Sequence, residues 1–94
     1  MLGSAESAFV KYRGEVDLKH LDYTDIARSS FIDRMCYDQR NAYMLISLNG
    51  KFYHYCEIDG DTVSALLAAD SMGRFYNASI KGQFDCRKNR VPEY

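Results

Sequence analysis

The spacing of apolar residues changes character along this chain. Between residues 30 and 58, the runs SFIDRMCYD, AYMLISL and KFYHYCEI are rich in β-branched and aromatic residues, with DQRN and NG between them. Both separators are turn-forming, so the pattern predicts three antiparallel strands in a meander. Further on, Asp59 is placed to cap a helix, Asp61 sits in its positive first turn, and Val63, Leu66 and Leu67 follow at helical spacing. Ser71 caps a second helix, MGRFYNASIKG, whose Met72, Phe75, Tyr76 and Ile80 form one apolar stripe before Gly82 ends it. Upstream, Phe9 to Tyr12 and Val16 to Leu18 alternate only briefly, and the segment between them and the first strand keeps no helical period. It reads as extended or irregular.

The hairpin at Asn49-Gly50 leaves two registers open. A two-residue loop puts Tyr53 and Tyr55 on the face of Met44 and Ile46, whereas a three-residue loop puts them on the face of Tyr43 and Leu45. In either register the middle strand is apolar on both faces, so something must cover the face that the helices leave. The nearest supply is Phe9, Val10, Val16 and Leu18. The fold class is therefore α+β: a three-stranded antiparallel β-meander followed by two short helices, with the N-terminal extension packed on the sheet or adding an edge strand. Residues 1–8 are expected to be a flexible start, 9–27 the extension, 28–86 the domain proper and 87–94 a loose basic tail.

Ninety-four residues, 47% of them apolar, suffice for one compact domain. No apolar run approaches the length of a membrane span, and the start lacks the basic and apolar regions of a secretory leader. Cys36, Cys56 and Cys86, an odd number at wide spacing, fit thiols in a reducing compartment better than a disulfide framework, which makes the cytoplasm the expected location. Residues 71–94 carry Arg74, Lys81, Arg87, Lys88 and Arg90 against Asp85 and Glu93, a net of +3, while residues 1–70 carry −4.

Candidate chemistry is sparse. His54 and Cys56 alternate on one strand and face the same way, which is half of a metal site, but His20, Cys36 and Cys86 are remote in sequence, so no metal or cofactor is expected. Cys56 has neither a helix N-terminus nor an identifiable base to activate it, and Asp59, Asp61 and Asp70 are accounted for at helix ends. There is no phosphate-binding glycine loop and no HExxH, so the chain reads as non-catalytic. Eight tyrosines and five phenylalanines leave aromatic rings available for stacking on bases, although Tyr53 and Tyr55 are expected to be buried first.

The order Ser29-Ser30, then YHY, then ALLAADSMGRFYNASIKGQF resembles the KTSC domain, a short bacterial module with a central YxY motif followed by a helix and a Gly-x-aromatic-aromatic-Asn-x-x-Ile pattern. Here that pattern is Gly73, Phe75, Tyr76, Asn77 and Ile80. The family also occurs at the C-terminus of some lysyl-tRNA synthetases, and RNA binding has been suggested from that context. The resemblance implies that Tyr53, Tyr55, Gly73, Phe75, Asn77 and Ile80 are structural. It favours both tyrosines inward and His54 outward, which selects the three-residue loop and leaves Met44 and Ile46 as an outer apolar strip. On this basis the expected function is RNA binding, with Arg74, Lys81 and Arg87 on phosphates and Tyr76 or exposed His54 stacking. The rival expectation is a protein partner, or self-association, through the outer strip.

Overall fold

The computed structural model describes residues 7–26, 29 and 31–93. Residues 1–6 of the expected flexible start and Ser30 of the serine pair lie outside the described residues. Among the described residues six strands form one sheet: β1 (Ser7–Val10), β2 (Gly14–Asp17), β3 (Asp22–Asp25), β4 (Ile32–Asp38), β5 (Tyr43–Leu48) and β6 (Lys51–Cys56). Two short helices follow, α1 (Gly60–Ala68) and α2 (Met72–Phe75), the latter running on into one π-helical turn, Tyr76–Ile80. The spatial order is β2-β1-β6-β5-β4-β3. The predicted meander is therefore the centre of a larger sheet, and the N-terminal extension supplies three further strands. The β1–β6 pair is parallel, joining at Val10 and Phe52, which the antiparallel expectation did not include.

Local chemistry explains the central elements. The Asp38 carboxylate, buried at the β4–β5 turn, accepts from the Arg40 and Asn41 backbone N–H groups and from the Asn41 amide. Asp59 caps α1 through the Thr62 N–H, and the Ser71 hydroxyl caps α2 through the Arg74 N–H. Both caps fall where the sequence put them.

The register is a correction. Tyr53 pairs with Ile46 and Tyr55 with Met44, so the loop has two residues rather than three. Asn49 and Gly50 both take positive φ, 51° and 86°, the type I′ geometry whose twist matches that of the flanking strands. A bulge between Ile32 and Arg34 turns the Asp33 carboxylate onto the Gly50 N–H at 2.8 Å, which pins the turn. Both tyrosines do point toward the helices, but their companions there are Met44 and Ile46. Those two side chains are fully buried with Ile58, Val63, Leu66, Met72, Tyr76 and Ile80, so the outer apolar strip expected from them does not exist. The face left for the extension is the other one, carrying Cys36, Tyr43, Leu45 and Cys56, and it is filled by Ala8, Val10, Val16, Leu18 and Leu21. His54 shares this covered face and is half-buried rather than exposed.

One connection shapes the whole sheet. β2 and β3 are its two edges, yet only Leu18–Leu21 join them, including one 3-10 turn. The Cα atoms of Asp17 and Asp22 are five virtual bonds apart, so they lie within about 19 Å of each other. In a flat sheet the first and sixth strands would stand about 24 Å apart. The sheet must curl, and the cluster around Tyr43 and Leu45 is the inside of that curl, with the helices packed on its outside.

The C-terminal segment closes one end. The Cys56 N–H donates to the Phe84 carbonyl at 2.8 Å, and Cys56 and Cys86 form a disulfide. This overturns the expectation of three thiols: a separation of 30 residues is wide along the chain, but the segment after α2 returns to the end of β6. The tail is also held, since Arg13 donates to the Pro92 carbonyl at 2.7 Å, and Arg90 reaches Glu57 and Asn41.

Two outcomes follow from this packing. Deleting residues 1–20 removes β1 and β2 and uncovers Tyr43 and Leu45, so the melting temperature should fall and the shortened chain should self-associate, as read by thermal melts and light scattering. An unchanged, monomeric truncation would show that the extension does not hold the curl. Behind β6, the Tyr55 and Tyr76 hydroxyls hydrogen-bond each other in a buried site. Tyr55→Phe should cost about 1–3 kcal/mol by orphaning the Tyr76 hydroxyl, and adding Tyr76→Phe should cost little more, a non-additivity that urea titration of the mutant cycle measures.

Candidate nucleic-acid interface

β1 accompanies β6 only as far as Phe52, where the Lys11 N–H donates to the Phe52 carbonyl, before the chain turns away through Tyr12 and Arg13 into β2. Beyond that point, among the described residues, the edge of β6 is taken up again only at Cys56, by Phe84. By the alternation of the ladder, the His54 backbone N–H and C=O turn toward the gap between these two bonds. The gap is a depression of about 490 Å³, walled by Lys11, Tyr12, Tyr53, His54, Phe84 and Arg87 among others.

The walls are aromatic and basic. Tyr12, on a turn with φ of 72°, is 87% exposed. The Lys11 ammonium lies 5.5 Å from its ring centroid and 5.8 Å from that of Tyr53, so one cation bridges two tyrosine faces. Arg87 is held by Asp85 at 2.9 Å; its hydrogen bonds bring the Asp85 carboxyl down to about 2. At the floor, the His54 Nδ1 shares a 3.0 Å hydrogen bond with the Tyr43 hydroxyl, and the Arg13 guanidinium stacks on the Tyr43 ring at 5.1 Å. Burial first, and then the Arg13 charge, hold the His54 pKa below its ordinary value against the smaller opposing pull of Asp85.

A second depression adjoins this one, and a third adjoins the second. The second is lined by Phe31, Leu48, Asn49, Lys51, Tyr53, Tyr76, Asn77 and Lys81, and so shares Tyr53 with the first. The third, around Ser29, Asp70, Ser71 and Arg74, shares Phe31 and Asn77 with the second. Together they make one path across the molecule carrying Lys11, Arg87, Lys51, Lys81 and Arg74 against Asp85 and Asp70.

All five residues expected to bind, His54, Arg74, Tyr76, Lys81 and Arg87, line this path. Tyr76 does not serve as a stacking surface: it is 5% exposed, with its hydroxyl on Tyr55 and its ring edge-on to Phe31 and Tyr55. Its place in the apolar stripe of the second helix decides this. Among the motif residues, Tyr55 and Ile80 are buried, Phe75 packs against the core, and Gly73 sits where an added Cβ would meet the Phe31 ring at 2.6 Å. Asn77 is exposed between the second and third depressions. Lys11, Tyr12 and Lys51 were missed from sequence. The run Lys11-Tyr12-Arg13-Gly14 carried the available signal, since a glycine turn presents residues outward, as Lys11 and Tyr12 are here, although Arg13 turns in onto Tyr43.

Comparison with known proteins agrees with the motif. The family model of the KTSC domain matches residues 28–84. The crystal structure of a KTSC domain protein from Yersinia pestis superposes with a TM-score of 0.64 at 27% identity, covering 69% of this chain and 92% of that one. No curated protein sequence matches.

The lowered His54 pKa makes a pH prediction. The unfolded chain binds this proton more readily than the folded one, so the stability contributed is fully present above about pH 6.5 and is lost as pH falls through the folded value. Melting temperature should drop on acidification below about pH 6.5, and His54→Gln should flatten that part of the profile; identical profiles would remove His54 as the cause.

Proposed function

The chain belongs to the KTSC domain family, and we propose that it is a small non-catalytic module that binds single-stranded RNA along the path from Arg87 and Lys11 to Arg74. The observation that carries this reading is the pairing of Lys11 with the faces of Tyr12 and Tyr53. Sequence-tolerant recognition of a single strand needs a basic track for the phosphates and aromatic faces for the bases, and both lie side by side here. Lys51, Lys81 and Arg74 continue the track, and among the described residues none of the three is held in an ion pair. Arg87 contributes less than its exposure suggests, because binding phosphate means competing with Asp85. The net charge of +3 over residues 71–94 favours the same end of the molecule.

The rival reading, a protein partner on an outer apolar strip, has lost its surface, because Met44 and Ile46 are fully buried. A cytoplasmic location fits an RNA partner and would keep the Cys56–Cys86 pair reduced.

Fluorescence anisotropy with a labelled mixed-sequence single-stranded RNA tests the proposal. Binding should weaken as salt rises, and Lys11→Ala should reduce the magnitude of the log–log salt slope by about 0.7. Tyr12→Ala should cost about 1–3 kcal/mol of affinity through lost stacking, while Tyr76→Phe should leave affinity unchanged. No binding at low salt, or a Lys11→Ala, Lys81→Ala double variant that binds as the parent does, would sink it.

A further inference from the structure

We propose that, once the Cys56–Cys86 bond is reduced, Cys56, Cys86 and His54 together bind one zinc ion. One donor atom from each of these residues lies within 4.8 Å of the others. His54 and Cys56 are two apart on β6 and project to the same face, and Cys86 is brought to them by the segment that pairs with the end of β6 at Phe84. The sequence offers only half of a site; the fold supplies the other half.

The donor set suits a borderline-soft divalent cation. Two thiolates and an imidazole form a common zinc ligand set, and three protein ligands leave a fourth position for water. That position faces the first depression, which His54 and Cys86 both line. Zinc–sulfur bonds of about 2.3 Å at the tetrahedral angle set two sulfurs about 3.8 Å apart. The Cα atoms of the two cysteines are 4.9 Å apart, so side-chain rotation supplies that separation without moving the backbone. The Tyr43 hydroxyl, 3.0 Å from Nδ1, already holds the imidazole in place, and in the tautomer whose Nδ1–H donates to the Tyr43 oxygen the Nε2 lone pair is free, the outer-shell arrangement of zinc-bound histidines.

The two states exchange by ordinary thiol chemistry. A dithiol reductant delivers two electrons and two protons, the Sγ–Sγ bond breaks to give two thiols, and the reductant closes to its own disulfide. Zinc then binds the two sulfurs and releases both thiol protons to solvent. A small-molecule disulfide takes the two electrons back and, with two protons from solvent, leaves as two thiols, which restores the Sγ–Sγ bond and expels the metal. In a reducing compartment the metal-binding form is the one available. The argument for this site does not rest on the RNA-binding proposal, because its ligands are not the cations of the track, although both open on the first depression.

Cobalt(II) is the spectroscopic probe for the intact chain, reduced anaerobically with a water-soluble phosphine that is oxidised to its oxide. The reduced protein should take up one equivalent and show the thiolate-to-cobalt charge-transfer band with intense tetrahedral visible bands, which zinc then bleaches. The disulfide form should bind none. Cys86→Ser and His54→Gln, each checked for folding by circular dichroism, should weaken binding at least about tenfold, and Cys36→Ala should leave it intact. As a measurement on the unaltered chain, zinc should slow alkylation of Cys56 and Cys86 in the reduced protein. Failure of the reduced parent to bind cobalt, equal binding by the oxidised form, unslowed alkylation, or undiminished binding in both ligand variants would each overturn the proposal.

Discussion

The shortness of the link between the two edge strands governs this molecule. Four residues, Leu18–Leu21, must carry the chain from β2 on one edge to β3 on the other, and a flat six-stranded sheet is too wide for them. Curling resolves the conflict and gives the inner face an enclosed volume, which Val10, Val16, Leu18, Leu21, Tyr43 and Leu45 fill. Covering that face therefore takes no separate layer; the sheet covers itself.

The same constraint builds the groove. Because β1 belongs to a hairpin that bends over the inside, it leaves β6 after Phe52, and the Lys11–Tyr12 turn hangs beside Tyr53 instead of continuing the ladder. The returning C-terminal segment takes up β6 again at Cys56. What lies between is a short length of unpaired strand edge, flanked by a cation and two aromatic rings on one side and by Asp85, Cys86 and Arg87 on the other. The polar residues at this mouth are also what stiffen it: Arg13 stacks on Tyr43, Tyr43 holds His54, and Arg13 fixes the tail at Pro92. A binding surface here would be presented by crosslinked backbone rather than by a floppy loop.

Much of the central architecture was legible in the sequence, because local chemistry decides it. Asp59 and Ser71 are caps whichever way the sheet packs, and the three strand runs are bounded by turn residues. Apolar side chains on both faces of β5 correctly demanded a second cover from the extension. Which face it covers was misread, since a one-residue difference in loop length exchanges the faces, and the family pattern of alternating residues fits either assignment of the partners on β5. Asn49-Gly50 in itself favoured the two-residue turn. The disulfide and the groove were illegible for a different reason: each joins segments far apart in sequence, Cys56 with Cys86 and Lys11 with Tyr53, and spacing along the chain carries no information about such meetings.

The family match ends at residue 84 and begins at 28, which divides the groove in two. Tyr53, Lys51, Lys81 and Arg74, with the second and third depressions, come from the shared domain; Lys11, Tyr12, Asp85, Cys86 and Arg87 come from segments outside it. In this chain Lys11 is what stands beside the Tyr53 ring, and Cys86 is what partners Cys56 at the end of β6. What the extensions add to the first depression is its facing wall, Lys11 and Tyr12 on one side and Asp85, Cys86 and Arg87 on the other, set against Tyr53, His54 and Phe84 of the shared domain, and the Lys11–Tyr12 part of that wall comes from the same folding over of β1 that closes the sheet.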